Sequence, residues 1–189
     1  MEKIISHRRL KLKFHFFIMS AIFLASALNT IPTYSKVLQE NYSDQEAGFR
    51  ISSPNEKWKF IPLASNSSPV RAMLRYESPI NQFYPNINVL VINLYNDEKK
   101  LEEWLEDELT KLPEHIQLIE KKKIAFQEIP GYELKLVDKK ASLIFLQRTF
   151  IIGKKRYILN AVAKTEAFLR FSNEFTQAFD SFVLIKLID

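Results

Sequence analysis

The stretch Ile87–Tyr95 constrains this fold more than any other. Val89, Leu90, Val91 and Ile92 put apolar side chains on both faces of one strand, so that strand must be covered above and below. Two helical stripes supply the covers. Over Glu98–Leu112, Leu101, Trp104, Leu105, Leu109 and Leu112 recur on one side at helical spacing; Asn96 or Asp97 suits the N-cap and Pro113 the end. Over Glu166–Phe182, a second stripe joins Phe168, Phe171, Phe175, Ala178, Phe179 and Phe182, with Thr165 as cap. One-sided helices around doubly covered strands predict an α+β fold: a three-layer α/β/α sandwich on a central, mostly antiparallel sheet.

Further strands are predicted at Phe49–Ser52, Lys57–Leu63, Arg71–Glu77, Gln117–Phe126, Tyr132–Val137, Leu143–Ile152 and Arg156–Lys164. Arg71–Glu77 alternates, with Ala72, Leu74 and Tyr76 on one face and Arg71, Arg75 and Glu77 on the other. Gly153-Lys154-Lys155 between two long apolar runs marks a hairpin. Residues 47–189 are expected to form one domain, preceded by a flexible spacer over residues 28–46 that lacks periodicity.

The order of these elements resembles the PsbP-like family. The resemblance rests on Gly48-Phe49-Arg50-Ile51-Ser52-Ser53-Pro54 followed by Trp58, and on Asn86-Ile87-Asn88-Val89-Leu90-Val91 ahead of the acidic helix. It continues through Ile129-Pro130-Gly131-Tyr132-Glu133-Leu134, the Phe150–Tyr157 hairpin and the closing Phe179-Asp180-Ser181-Phe182. These are turn and packing signatures. The resemblance implies a PsbP-like sandwich and a non-catalytic accessory or binding role, often in exported proteins. Its photosynthetic branch docks on photosystem II, which would apply here only in a photosynthetic source. No ligand or metal residues carry over with it.

The first 27 residues read as a secretory signal. Lys3, Arg8, Arg9, Lys11 and Lys13 precede an apolar run from Phe16 to Leu28, with Ala25-Ser26-Ala27 at its end. That run is short for a membrane span, which needs about 20 apolar residues. Cleavage and export to the periplasm or outside the cell are therefore expected; the alternative is an anchor formed by residues 16–28. The leader holds five of the 27 basic residues and one of the 22 acidic ones, leaving 22 and 21, a net charge of +1. A nearly neutral domain does not call for a nucleic-acid partner. With no cysteine in the chain, disulfides, thiolate metal sites and a lipid-modified cysteine are excluded.

Catalytic signals are missing. His115 is the one histidine outside the leader, and no nucleophile elbow, phosphate-cradling glycine loop or zinc-protease helix accompanies it. No enzyme, cofactor or metal is therefore expected. Glu98, Glu102, Glu103, Glu106, Asp107 and Glu108 read as a solvated helix face, with Asp107 and Lys111 paired at i, i+4. A straight helix cannot wrap a calcium ion.

Two features suit a partner. Lys121-Lys122-Lys123, Lys139-Lys140 and Lys154-Lys155-Arg156 are basic clusters that either converge on a patch for an acidic partner or lipid headgroups, or guard strand edges. Phe83 and Tyr84 sit between Pro79 and Pro85, where the rings either face a partner or, the favoured reading, cap the core. The expected function is a non-enzymatic, exported accessory or binding protein of the cell envelope, working through contacts with an envelope protein. The alternative is a carrier of a small apolar ligand between sheet and helix, lined by some of the 15 phenylalanines.

Overall fold

A computed structural model gives the fold and describes residues 40–63, 68–94 and 99–185. The leader and the cap candidates Asn96 and Asp97 lie outside these described residues. Strand β1 (Asn41–Asp44) pairs with β2 (Phe49–Ser52), and β3 (Trp58–Phe60), β4 (Val70–Tyr76) and β5 (Asn86–Asn93) follow as a meander. Helix α1 (Leu101–Leu109) leads to a second meander of β6 (Ile116–Phe126), β7 (Ile129–Asp138), β8 (Leu143–Ile152) and β9 (Lys155–Lys164). Helix α2 (Phe168–Asp180) and the short β10 (Val183–Leu184) complete the described fold.

The two meanders join where β9 lies beside β5. The result is one antiparallel seven-stranded sheet in the order β3-β4-β5-β9-β8-β7-β6, with a small separate sheet β1-β2-β10. β5 and β9 are therefore central, which is why their side chains are apolar or buried on both faces.

Helix α2 and the small sheet cover one face. Phe168, Phe171, Phe175 and Phe179 meet Leu74, Tyr76, Ile87, Val89, Leu159 and Ala161, together with Phe49, Ile51 and Trp58. Aromatic rings fill this layer: Trp58 meets Phe171 and Phe175 edge-on at 5.9 and 5.8 Å, and Phe126 stacks on Phe150 at 4.5 Å. The Trp58 indole N–H is satisfied by Glu174 of α2 at 2.8 Å. Helix α1 lies on the opposite face, where Leu105 packs with Leu134, Leu136, Phe145 and Val162. The three layers of the α+β sandwich are thus in place.

Several boundaries shift. The segment expected to be spacer ends in β1, because Tyr42 stacks on Phe60 at 5.7 Å and Asp44 binds Arg71. Lys57–Leu63 shrinks to three strand residues, whereas Tyr132–Val137 lengthens to Ile129–Asp138. The lengthening follows from the tight Gln127-Glu128 turn, both residues at positive φ, which keeps β6 and β7 in register to Phe126↔Ile129. Helix α1 begins at Leu101 rather than Glu98, and α2 is capped by Ala167 without a side-chain bond rather than by Thr165.

Candidate functional site

The small sheet meets one end of the central strands β5, β8 and β9, and a cleft of about 410 Å³ opens there. Its position follows from the β8–β9 hairpin. Gly153, at φ +55°, turns the chain so that Lys154 and Lys155 project at the end of the central sheet. Ile152 and Tyr157 form one wall, Ala47 and Gly48 another, and Leu94, Leu184 and Ile185 complete an apolar lining below the lysine rim.

Four hydrogen bonds hold the cleft in shape. The Tyr157 hydroxyl donates to Ala47 O (2.7 Å), and Lys155 Nζ donates to Glu46 O (2.7 Å). The backbone N–H of Ile185 bonds Gly48 O (2.9 Å) and that of Leu94 bonds Lys154 O (2.7 Å). Burial, and then the charge of Asp44, pushes the Tyr157 phenol up, so it stays a neutral donor. Lys154 is exposed at the rim. Apolar walls under a cationic rim are complementary to an apolar segment that carries an acidic group.

The basic clusters occupy separate places. Lys139-Lys140 turns between β7 and β8, at the opposite end of the sheet from Lys154-Lys155. Lys121, Lys122 and Lys123 line the outer edge strand β6, each already engaged: Lys121 lies 5.0 Å from the Tyr132 ring, Lys122 bonds Glu120 at 2.9 Å, and Lys123 is 3.7 Å from Glu102. A hydrogen bond from Tyr132, and secondarily the Lys123 charge, holds the Glu102 carboxyl below its usual range.

Arg156 is not a surface contact. It is 1% exposed, and its guanidinium grips Glu108 of α1 with two bonds of 2.6 and 2.9 Å. Lys154 beside it in the hairpin is exposed and Lys155 is partly buried. Because successive strand residues alternate sides, Lys155 and Tyr157 turn to the α2 face and Arg156 to the α1 face. Nor is the acidic face of α1 simply solvated: Glu108 turns to Arg156, and Asp107 pairs with Lys99 rather than Lys111.

The aromatic loop divides. Phe83 is 6% exposed and packs with Leu105, Tyr132 and Val162, so it caps the core. Tyr84 is half-buried with Arg75 4.5 Å above its ring. The apolar residues of the cleft carry no local signal in the sequence, because Ala47-Gly48, Leu94 and Leu184-Ile185 come from three distant parts of the chain. The hairpin lysines were the one local signal.

No protein-family profile and no curated protein sequence matches the chain. Solved structures do. The solution structure of cyanobacterial PsbP (CyanoP) from Synechocystis sp. PCC 6803 superposes with a TM-score of 0.56 at 14% identity, over 83% of this chain and 98% of that one. LpqN, involved in cell envelope biogenesis of Mycobacterium tuberculosis, gives 0.58 at 15% identity, over 72% and 83%. PA94 from Pseudomonas aeruginosa gives 0.54 at 9% identity, over 67% and 96%. Coverage of 98% and 83% of the CyanoP and LpqN chains, together with the seven-stranded antiparallel sheet between α1 and α2, shows that the chain has a PsbP-like fold.

Proposed function

We propose that the protein is an exported accessory protein of the cell envelope that works by binding another envelope protein, not by catalysis. The cleft beneath Lys154 and Lys155 carries this reading: it is a preformed apolar surface with a cationic rim, suited to an apolar segment bearing an acidic residue. Export is supported by the basic and apolar leader, and no helix among the described residues is long and apolar enough to cross a membrane. LpqN offers an envelope precedent for the fold.

The test is site-specific photo-crosslinking of the exported full-length chain in its own cells. A photoreactive residue at position 154 is expected to trap one protein, identified by mass, and the same residue at Leu169 on α2 is not. Adding Lys155→Glu to the chain with the label at 154 should remove the adduct. Equal labelling from both positions would overturn the docking site. A mature protein that retains Met1 and stays in the cytosol would overturn export.

A further inference from the structure

A row of amides crosses the α1 face of the central sheet. Asn88 on β5 lies directly opposite Asn160 on β9, and Asn160 lies directly opposite Gln147 on β8. The three residues are 1%, 1% and 3% exposed. Their row separates the apolar cluster of Val70, Met73, Leu90 and Ile158 from the one around Leu105. Three polar side chains aligned at the centre of a sheet face need a reason, because each must be satisfied or carry the full cost of losing its water.

The protein satisfies part of the row. Asn86 Nδ2 donates to Tyr84 O at 3.1 Å, and Asn88 Nδ2 donates to Asn86 Oδ1 at 3.4 Å. Three buried atoms remain without a hydrogen-bond partner among the described residues: Asn88 Oδ1, Asn160 Nδ2 and Gln147 Nε2. They amount to one acceptor and two donors. A hydroxyl group is the converse, with one O–H donor and two acceptor lone pairs. Adjacent strands lie about 4.8 Å apart, so Asn88 and Gln147 flank Asn160 closely enough for all three to meet one oxygen held above it.

Charge also selects. A carboxylate would set a second bare oxygen against Asn88 Oδ1, and an ammonium would oppose the two N–H donors. Arg156, on the same face of β9, is neutralised by Glu108 and adds no net charge. We infer that the Asn88–Asn160–Gln147 row is a buried recognition site for a neutral hydroxyl group, supplied by water or by a small alcohol or polyol. This site is independent of the hairpin cleft.

Nuclear magnetic resonance on the 15N-labelled full-length protein tests this without altering it. The side-chain amide protons of Asn160 and Gln147 should show Overhauser contacts to a long-lived water, or saturable shifts with added glycerol or glucose. Contacts that persist in excess polyol identify water as the occupant; contacts displaced by it identify the polyol. The triple variant Asn88→Leu, Asn160→Leu, Gln147→Leu should have a lower Tm, because it discards a satisfied site. Amide protons with neither water contacts nor polyol shifts would overturn the inference. A higher Tm in the triple variant would do so too, since it would mean the row is merely unsatisfied.

Discussion

Glu108 and Arg156 form a two-pronged ion pair that fastens helix α1 to the hairpin end of the central strand β9. Arg156 Nη1 and Nη2 donate to the two carboxylate oxygens, and its Nε donates to Thr149 Oγ1 at 3.0 Å. With Arg156 only 1% exposed, water cannot take over when one partner is lost. Glu108→Ala is expected to cost about 3–5 kcal/mol, the usual penalty for stranding a buried charge. The double variant Glu108→Leu, Arg156→Met should recover most of that loss. Urea unfolding of the three proteins measures both effects; a single variant as stable as the parent would show that the pair holds nothing.

Phe175 is fully buried between Trp58, Phe168 and Phe171, with centroids 5.8, 5.6 and 6.1 Å away. Phe175→Ala leaves a ring-sized hole in this layer and should cost about 3–5 kcal/mol. Leu169, one turn and a half earlier on the same helix, is 80% exposed, and Leu169→Ser should stay within about 0.5 kcal/mol. Denaturant midpoints of the two variants separate a helix held by its aromatic stripe from one held by its own propensity.

The stripe on α2 was legible because it repeats at helical spacing, and Leu143–Ile152 because its length and apolar content suit a strand alone. β1 was not legible: Asn41, Tyr42, Ser43 and Asp44 have no apolar alternation, and their pairing depends on Phe49–Ser52 and Arg71, remote from any local signal. Arg156 misled for a different reason. It follows two lysines and reads as part of a charged turn, yet the register that sets Lys155 opposite Ile152 turns Arg156 inward. The period of two along Arg156, Ile158, Asn160 and Val162 held the clue, since a polar residue on a doubly covered strand must find a buried partner. Asn88 and Gln147 carried the same clue within apolar runs.

Asp44 makes stability depend on acid. Burial alone would raise its carboxyl, but hydrogen bonds from Arg71 and from the Ala47 N–H outweigh burial and hold it below the ordinary range. A carboxyl depressed in the folded state contributes its stability in full above the unfolded value of about 4 and loses it as the pH falls through the lower, folded value. The parent should therefore exceed Asp44→Asn in denaturant midpoint at about pH 7, and the gap should close towards about pH 2. A gap of the same size at both pH values would show that the charge of Asp44 contributes nothing.

Two glycines should fail for opposite reasons. A Cβ at Gly131 would lie 2.8 Å from the backbone oxygen of Thr149, on the neighbouring strand β8, and neither backbone can yield without breaking the β7–β8 ladder. Gly131→Ala should cost about 1–3 kcal/mol, as overpacking does. At Gly153 a Cβ would meet nothing within 4 Å, but φ is +55°, so the cost there is conformational. Gly153→Ala should lose about 1 kcal/mol, and Gly153→Asn less, because asparagine tolerates the left-handed region. Asparagine at 131 brings no such relief, since the obstacle there is an atom and not a torsion angle. Thermal unfolding of the four variants therefore separates the two mechanisms: rescue by asparagine at 153 and none at 131.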